Sequence, residues 1–278
     1  MPARMRAGVD EVSASGNLLG SRGVYLDVRE AQAMRRKRAS EWVKGVVAAV
    51  LFSCAMVCNG RCQAPPTFIE ALEQHHVSTT PAALLEALHD ADKEVRGLAA
   101  AELAEQKVTA ALPAIVRAAE EEKDPQTRVN LASAATWMGS QDGVRILKVV
   151  CEDGSYSAWI RLAAARGVFG RGDHSCFPAI VGIIRSGDAG ARMEALSAAA
   201  YIRPKTDQES TTVLSLAVLA LEDPDISVRL EACEALRWLK DVTAIESLQR
   251  VIRREREEVV RTRMAATLAD LLKDHPGR

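Results

Sequence analysis

From about Phe68 to Leu272 the chain alternates apolar and polar positions at helical spacing, as in Leu112, Ile115 and Val116. FIEALEQHH and PAALLEALHDA read as two short helices, with Thr80 as N-cap and Pro81 as first helical residue of the second. Beyond them one pattern returns six times: DKEVRGLAAAELAE, DPQTRVNLASAATWMG, SAWIRLAAARGVFG, DAGARMEALSAAAYI, DISVRLEACEALRWL and EEVVRTRMAATLADLL. A turn and a second apolar helix follow each of the first five: AALPAIVRAAE, GVRILKVV, CFPAIVGIIR, TTVLSLAVLALE and AIESLQRVI. The pattern predicts helix pairs that end on an unpaired helix.

The register of the repeat is set by an arginine: Arg96, Arg128, Arg161, Arg192, Arg229 and Arg261, at spacings of 32, 33, 31, 37 and 32. Four residues earlier stand Asp92, Asp124, Ser157, Asp188, Asp225 and Glu257. The first five are good N-caps, accepting from free backbone N–H groups, and Glu257 suits the positive end of a helix. Three and four residues after each arginine come small or apolar pairs such as Ala99-Ala100, Ala164-Ala165 and Ala232-Cys233. Small side chains there allow close approach of neighbouring helices. The 37-residue interval marks an insertion of about five residues, placed at RPKTDQES, Arg203–Ser210. A helix pair cannot bury its apolar stripe alone, so the units must stack into a solenoid with a continuous core.

The pattern of an acid, two residues, then Val-Arg and an alanine-rich run resembles the short HEAT repeats, including those of the phycobilin-lyase type. The resemblance covers about three quarters of the chain, and the arginine recurs in all six units. Ser157 and Glu257 depart from the aspartate, and Ile160 and Ala191 from the valine. The resemblance implies an all-α, right-handed α-α superhelical solenoid. In it, acids and arginines form a structural ladder along the stack: here Asp92, Arg96, Asp124, Arg128, Arg161, Asp188, Arg192, Asp225, Arg229 and Arg261.

Composition agrees with small-residue helix packing, since 48% of residues are hydrophobic but only 4% aromatic. The net charge of −1 hides two unlike parts. Residues 1–64 hold ten Lys/Arg against five Asp/Glu, and the remainder 26 against 32. An acidic body does not suit a nucleic-acid partner, which requires a basic face for phosphates.

The basic part contains MRRKRASEWVK, the uncharged run Gly45–Cys58 and the tail NGRCQAPP. Fourteen residues make about 21 Å of helix, against about 20 residues needed for a span. The segment 34–64 therefore reads as a secretory signal, with residues 1–33 disordered or upstream of a true start at Met34. Cleavage between Gly60 and Ala64 is the first expectation. The second is lipidation at Cys54, because Leu51-Phe52-Ser53-Cys54 resembles a lipoprotein box. Cys54, Cys58 and Cys62 belong to this address signal rather than to a metal site, and membrane association is expected only through it. Cys151, Cys176 and Cys233 stand singly, which is a poor disulfide framework, and are expected as buried thiols.

Candidate chemistry is sparse. His75-His76 closes a helix, and no third ligand stands at ligand spacing to His75, His76, His89, His174 or His275. The His-Glu dipeptides of HEAT-type di-iron hydroxylases do not occur, nor do P-loop, G-x-G-x-x-G, H-E-x-x-H or G-x-S-x-G motifs. No catalytic, metal or cofactor residue is assigned. Trp137, Tyr201 and Trp238 each lie nine residues after their repeat arginine, with Phe169 at eight. They are either partner-binding anchors or packing between turns near the helix end, and Trp159 is open to the same two readings. The sequence thus predicts a non-enzymatic, exported scaffold that binds a protein or peptide. The alternative is a lyase-like module handling a chromophore or other cofactor.

Overall fold

The computed structural model describes residues 67–202 and 204–274, and all thirteen α-helices among them fall where the hydrophobic period places them. They are α1 (Phe68–Gln74), α2 (Pro81–Ala87), α3 (Lys93–Glu105), α4 (Leu112–Glu121), α5 (Pro125–Trp137), α6 (Gln141–Glu152) and α7 (Ala158–Phe169). There follow α8 (Phe177–Ser186), α9 (Ala189–Tyr201), α10 (Asp207–Ala220), α11 (Ile226–Leu239), α12 (Ile245–Ile252) and α13 (Glu258–Asp274). Short 3-10 turns lead into α4 and α12. The signal-like segment, the start at Met34, the cleavage and lipidation positions and the three N-terminal cysteines lie outside the described residues, as does His275.

Local starts follow the capping residues. The carboxylates of Asp92, Asp124, Asp188 and Asp225 accept from the N–H groups of Glu94, Thr127, Ala191 and Ser227 at 2.8–3.0 Å. Ser157 accepts from Ile160 at 3.4 Å. Each such cap contributes about 1 kcal/mol. Gly139, at φ +98°, closes α5 in a conformation that disfavours any side chain.

The helices form two layers. α3, α5, α7, α9, α11 and α13 pack side by side in sequence order, whereas α6, α8 and α10 rest chiefly on the α-helices before and after them and α4 and α12 on the inner helix that follows. We call the first set the inner layer, because its members approach one another all along the array. Their small pairs make this possible: Ala99, Ala100, Ala132, Ala164, Ala165, Ala195, Ala232 and Cys233 are all fully buried. Ala265, the equivalent residue of α13, is exposed.

The ladder departs from the expected pairing. The aspartates four residues before the arginines serve as caps, and the arginines instead reach forward to the acid two residues ahead of the next cap. Arg96 Nε and Nη2 donate to Glu122 at 2.7 and 2.9 Å, those of Arg192 to Asp223 at 2.9 and 2.7 Å, and those of Arg229 to Glu255 at 2.9 and 3.3 Å. Burial alone would raise these three carboxyls. The guanidinium and nearby backbone N–H donors outweigh it and hold all three below the usual range.

Two middle rungs lack that acid. Ser155 stands in the slot for Arg128 and Ser186 in the slot for Arg161. Arg128 Nε is buried with no hydrogen-bond partner, and Arg161 Nε donates to the Cys151 carbonyl at 2.9 Å. A covalent tie runs through this same stretch. Cys151, at the end of α6, is disulfide-bonded to Cys176, the N-cap residue of α8, with Cα atoms 6.0 Å apart. This corrects the expectation of separate thiols: the scattered spacing of Cys151, Cys176 and Cys233 concealed the pair, and stacking around α7 brings its ends together. Cys233 is the free, buried thiol among the described cysteines, and burial pushes it up to about 12.

Candidate functional site

The layers leave one stripe of the inner helices α5, α7, α9 and α11 uncovered. Relative to the repeat arginine it runs through positions −2, +2, +5 and +9, the spacing of one helical face. On α5 these are Gln126, Asn130, Ser133 and Trp137; on α7, Trp159, Ala163, Arg166 and Gly170; on α9, Gly190, Glu194, Ser197 and Tyr201; on α11, Ser227, Glu231, Glu234 and Trp238. None of these sixteen residues is buried. The stripes of neighbouring helices lie side by side and make a continuous inner face.

Contacts across this face confirm the register. Arg166 of α7 pairs with Glu194 of α9, and Arg263 of α13 with Glu234 of α11. Arg237 joins Glu234 at 3.2 Å and Asp270 of α13 at 2.9 Å. The Trp159 ring lies across Gly190, where a Cβ would come within 3.0 Å of it. Tyr201 and Trp238 meet with ring centroids 4.8 Å apart and planes tilted by 45°.

Trp137, Tyr201 and Trp238 are 41%, 56% and 55% exposed, so none is consumed by packing between turns. Phe169, one position out of register, is turned into the core and meets His174 edge-on. Trp137 stands apart from the Tyr201–Trp238 pair, with Gly170 of α7 in the intervening register position. Trp159 is also exposed, at the opposite end of the stripe.

Glu231 is half-buried on this face. Burial, with Glu194 and Glu234 close by, pushes its carboxyl above the usual range, and the Ser197 hydroxyl only partly offsets this. Among the described residues no three His, Cys, Asp or Glu side chains converge closely enough to hold a metal ion, and no helix is long and apolar enough to cross a membrane. A shallow depression of about 350 Å³ lies at the Arg229–Glu255 rung, lined also by Asp223, Arg254 and Arg256.

The family model for HEAT repeats matches residues 81–168 and 178–269. The chain belongs to the HEAT-repeat family. No curated protein matches it. Solved structures similar to this HEAT array include an engineered protein at 18% identity and TM-score 0.46, covering 69% of this chain and 96% of that one. The phycocyanin lyase complex of CpcE and CpcF from Nostoc sp. is similar at 18% identity and TM-score 0.35, covering 78% and 99%. Human deoxyhypusine hydroxylase follows at 15% and 0.30, covering 69% and 84%.

The HEAT register brings out candidate residues that the sequence pattern alone did not single out. Arg166, Glu194, Glu231 and Glu234 share the aromatic stripe, and stepping back four and seven residues from Tyr201 and Trp238 finds the three on those helices beside Ser197. The long interval is taken up largely by α10, which at 14 residues is the longest outer helix and includes Asp207–Ser210 in its first turn. Glu209 at the start of α10 bonds His174 Nδ1 at 2.9 Å, and the Lys205 ammonium donates to the Gly172 carbonyl, so the segment is fastened to the preceding turn.

Proposed function

We propose that this HEAT array is a non-enzymatic scaffold, exported to the cell envelope, whose inner face binds a protein or peptide. The observation that carries the reading is the Tyr201–Trp238 ring pair, in contact and half-exposed on the stripe shared by α5, α7, α9 and α11. Large rings left in solvent amid polar neighbours are the composition of an interface core with its rim. The Cys151–Cys176 disulfide supports the compartment, because such bonds persist where the surroundings are oxidising. The basic head and uncharged run of residues 34–58 support the route there.

Site-specific photo-cross-linking in the native host tests the binding surface. A photoreactive residue at Ser197, on the inner stripe, should give a discrete protein adduct. One at Gly182, on the outer helix α8 with open space around its Cβ, should give none. No adduct from Ser197, or the same adduct from both positions, overturns the reading. Fractionation with N-terminal sequencing tests the address: an intact Met1 terminus in the cytoplasm would exclude export.

A further inference from the structure

We propose that the partner is basic: an extended segment running along α11 that sets one arginine or lysine head against Glu231 and another over the Tyr201–Trp238 rings. This rests on the protein-binding reading above and specifies the chemistry of what is bound.

The argument begins with which charges on the inner face are already satisfied. Arg166 is held by Glu194, Arg263 by Glu234, and Arg237 by Glu234 and Asp270. Glu231 makes no ion pair among the described residues. Its flanking charges are the like-charged Glu194 and Glu234, and the Ser197 hydroxyl is its hydrogen-bonding neighbour. A half-buried carboxyl among carboxylates lacks a cation, and an incoming guanidinium or ammonium there would be screened less than at the open surface.

The rest of the face excludes other occupants. On α9 and α11 the stripe is glycine, serine, glutamate and the ring pair, with not one aliphatic side chain. An apolar helix laid in a groove needs such anchors at helical spacing and finds none. The exposed faces of Tyr and Trp, by contrast, attract cations, and guanidinium groups stack on them. Trp238 lies seven residues beyond Glu231, about 10 Å along the axis, which is the span of about three residues of chain in the polyproline II conformation, where every third side chain returns to the same side. A basic segment with cationic side chains three residues apart therefore matches both subsites. The acidic balance of residues 65–278 favours its approach from a distance.

The test uses the full chain and three synthetic peptides, four repeats each of Arg-Gly-Gly, Gln-Gly-Gly and Glu-Gly-Gly, with calorimetry at moderate salt. The arginine peptide should bind at least tenfold tighter than the other two. Glu231→Gln and Trp238→Ala should each weaken it about tenfold. Trp137→Ala, in the same register position but on a stripe without an acid, should weaken it less than twofold. Circular dichroism spectra unchanged from the wild type would show that these surface variants fold. An arginine peptide bound no tighter than the glutamine peptide overturns the proposal. So does tight binding indifferent to Glu231→Gln and Trp238→Ala, since that would be diffuse attraction to an acidic body. Should Ser197 cross-link a protein while the arginine peptide fails, the scaffold reading stands and only the basic class falls. If neither occurs, both fall.

Discussion

Breaking the Cys151–Cys176 bond should destabilise the middle of the array and leave its two ends almost untouched. The bond joins residues 25 apart and encloses all of α7. On the chain-entropy account, closing a loop of that length in the unfolded state contributes about 3.5 kcal/mol. Both cysteines are fully buried, so the reduced thiols must fit the same volume, and little of the loss can be recovered by relaxation outward. Each repeat of a solenoid is stabilised by its neighbours alone, so the loss should not spread evenly. The Cys151→Ala/Cys176→Ala variant and the reduced wild type should therefore show faster amide hydrogen exchange across α6, α7 and α8. Exchange in α3 and α11 should change little. Urea unfolding followed by circular dichroism should show an earlier first phase in both. Peptide mapping without reductant should recover the two cysteines in one linked pair. The reasoning fails if the mapped protein is unlinked, or if oxidised and reduced chains exchange alike in α6–α8.

Further outcomes follow from the ladder and the packing. Arg229→Met should cost about 3 kcal/mol, because it leaves Glu255, whose side chain is only 6% exposed, without its cation; a urea melt at neutral pH checks this. Glu255 is held below its ordinary range, so its contribution is present above the unfolded carboxyl value near 4.3 and fades as the pH falls through the lower folded value. Wild type and Arg229→Met should accordingly converge in stability on acidification, and a gap that stays constant to the lowest pH would refute the assignment. Ser155→Glu restores the acid opposite Arg128 and should gain about 1 kcal/mol in thermal melts, a gain that must vanish in an Arg128→Met background. Gly143→Ala should cost about 2 kcal/mol, since the added Cβ would stand 2.8 Å from both the Ala132 carbonyl and the Thr136 nitrogen.

The fold was legible because each unit writes its own boundaries. Asp92, Asp124, Asp188 and Asp225 announce helix starts, and the alanines after each arginine announce which side packs closest. The arginine partners were harder to see, since they sit in the turn of the following unit. Their trace is an acid two residues ahead of the next capping acid, as in Glu122-Lys-Asp124, Asp223-Pro-Asp225 and Glu255-Arg-Glu257, lapsing at Ser155-Tyr-Ser157 and Ser186-Gly-Asp188. The disulfide could not be read from spacing, because its ends are neighbours only once α7 is folded between them. The aromatic positions of the inner face were visible from their shared register. The glutamates beside them were hidden because acids are common on any solvated helix, and only the fold shows that Glu194 and Glu234 hold arginines while Glu231 does not.

The paired outer ends of α6 and α8 also bear on how the array can deform. Outer helices lean chiefly on the inner layer, so their spacing is set mainly through it, as pages are by the spine of a book. The disulfide clamps two successive pages together across α7. Bending must then be taken up by the turns before and after the clamp. The three inner stripes from Trp137 to Tyr201 straddle that clamped part, so the spacing between the lone tryptophan and the ring pair behaves as a fixed gauge.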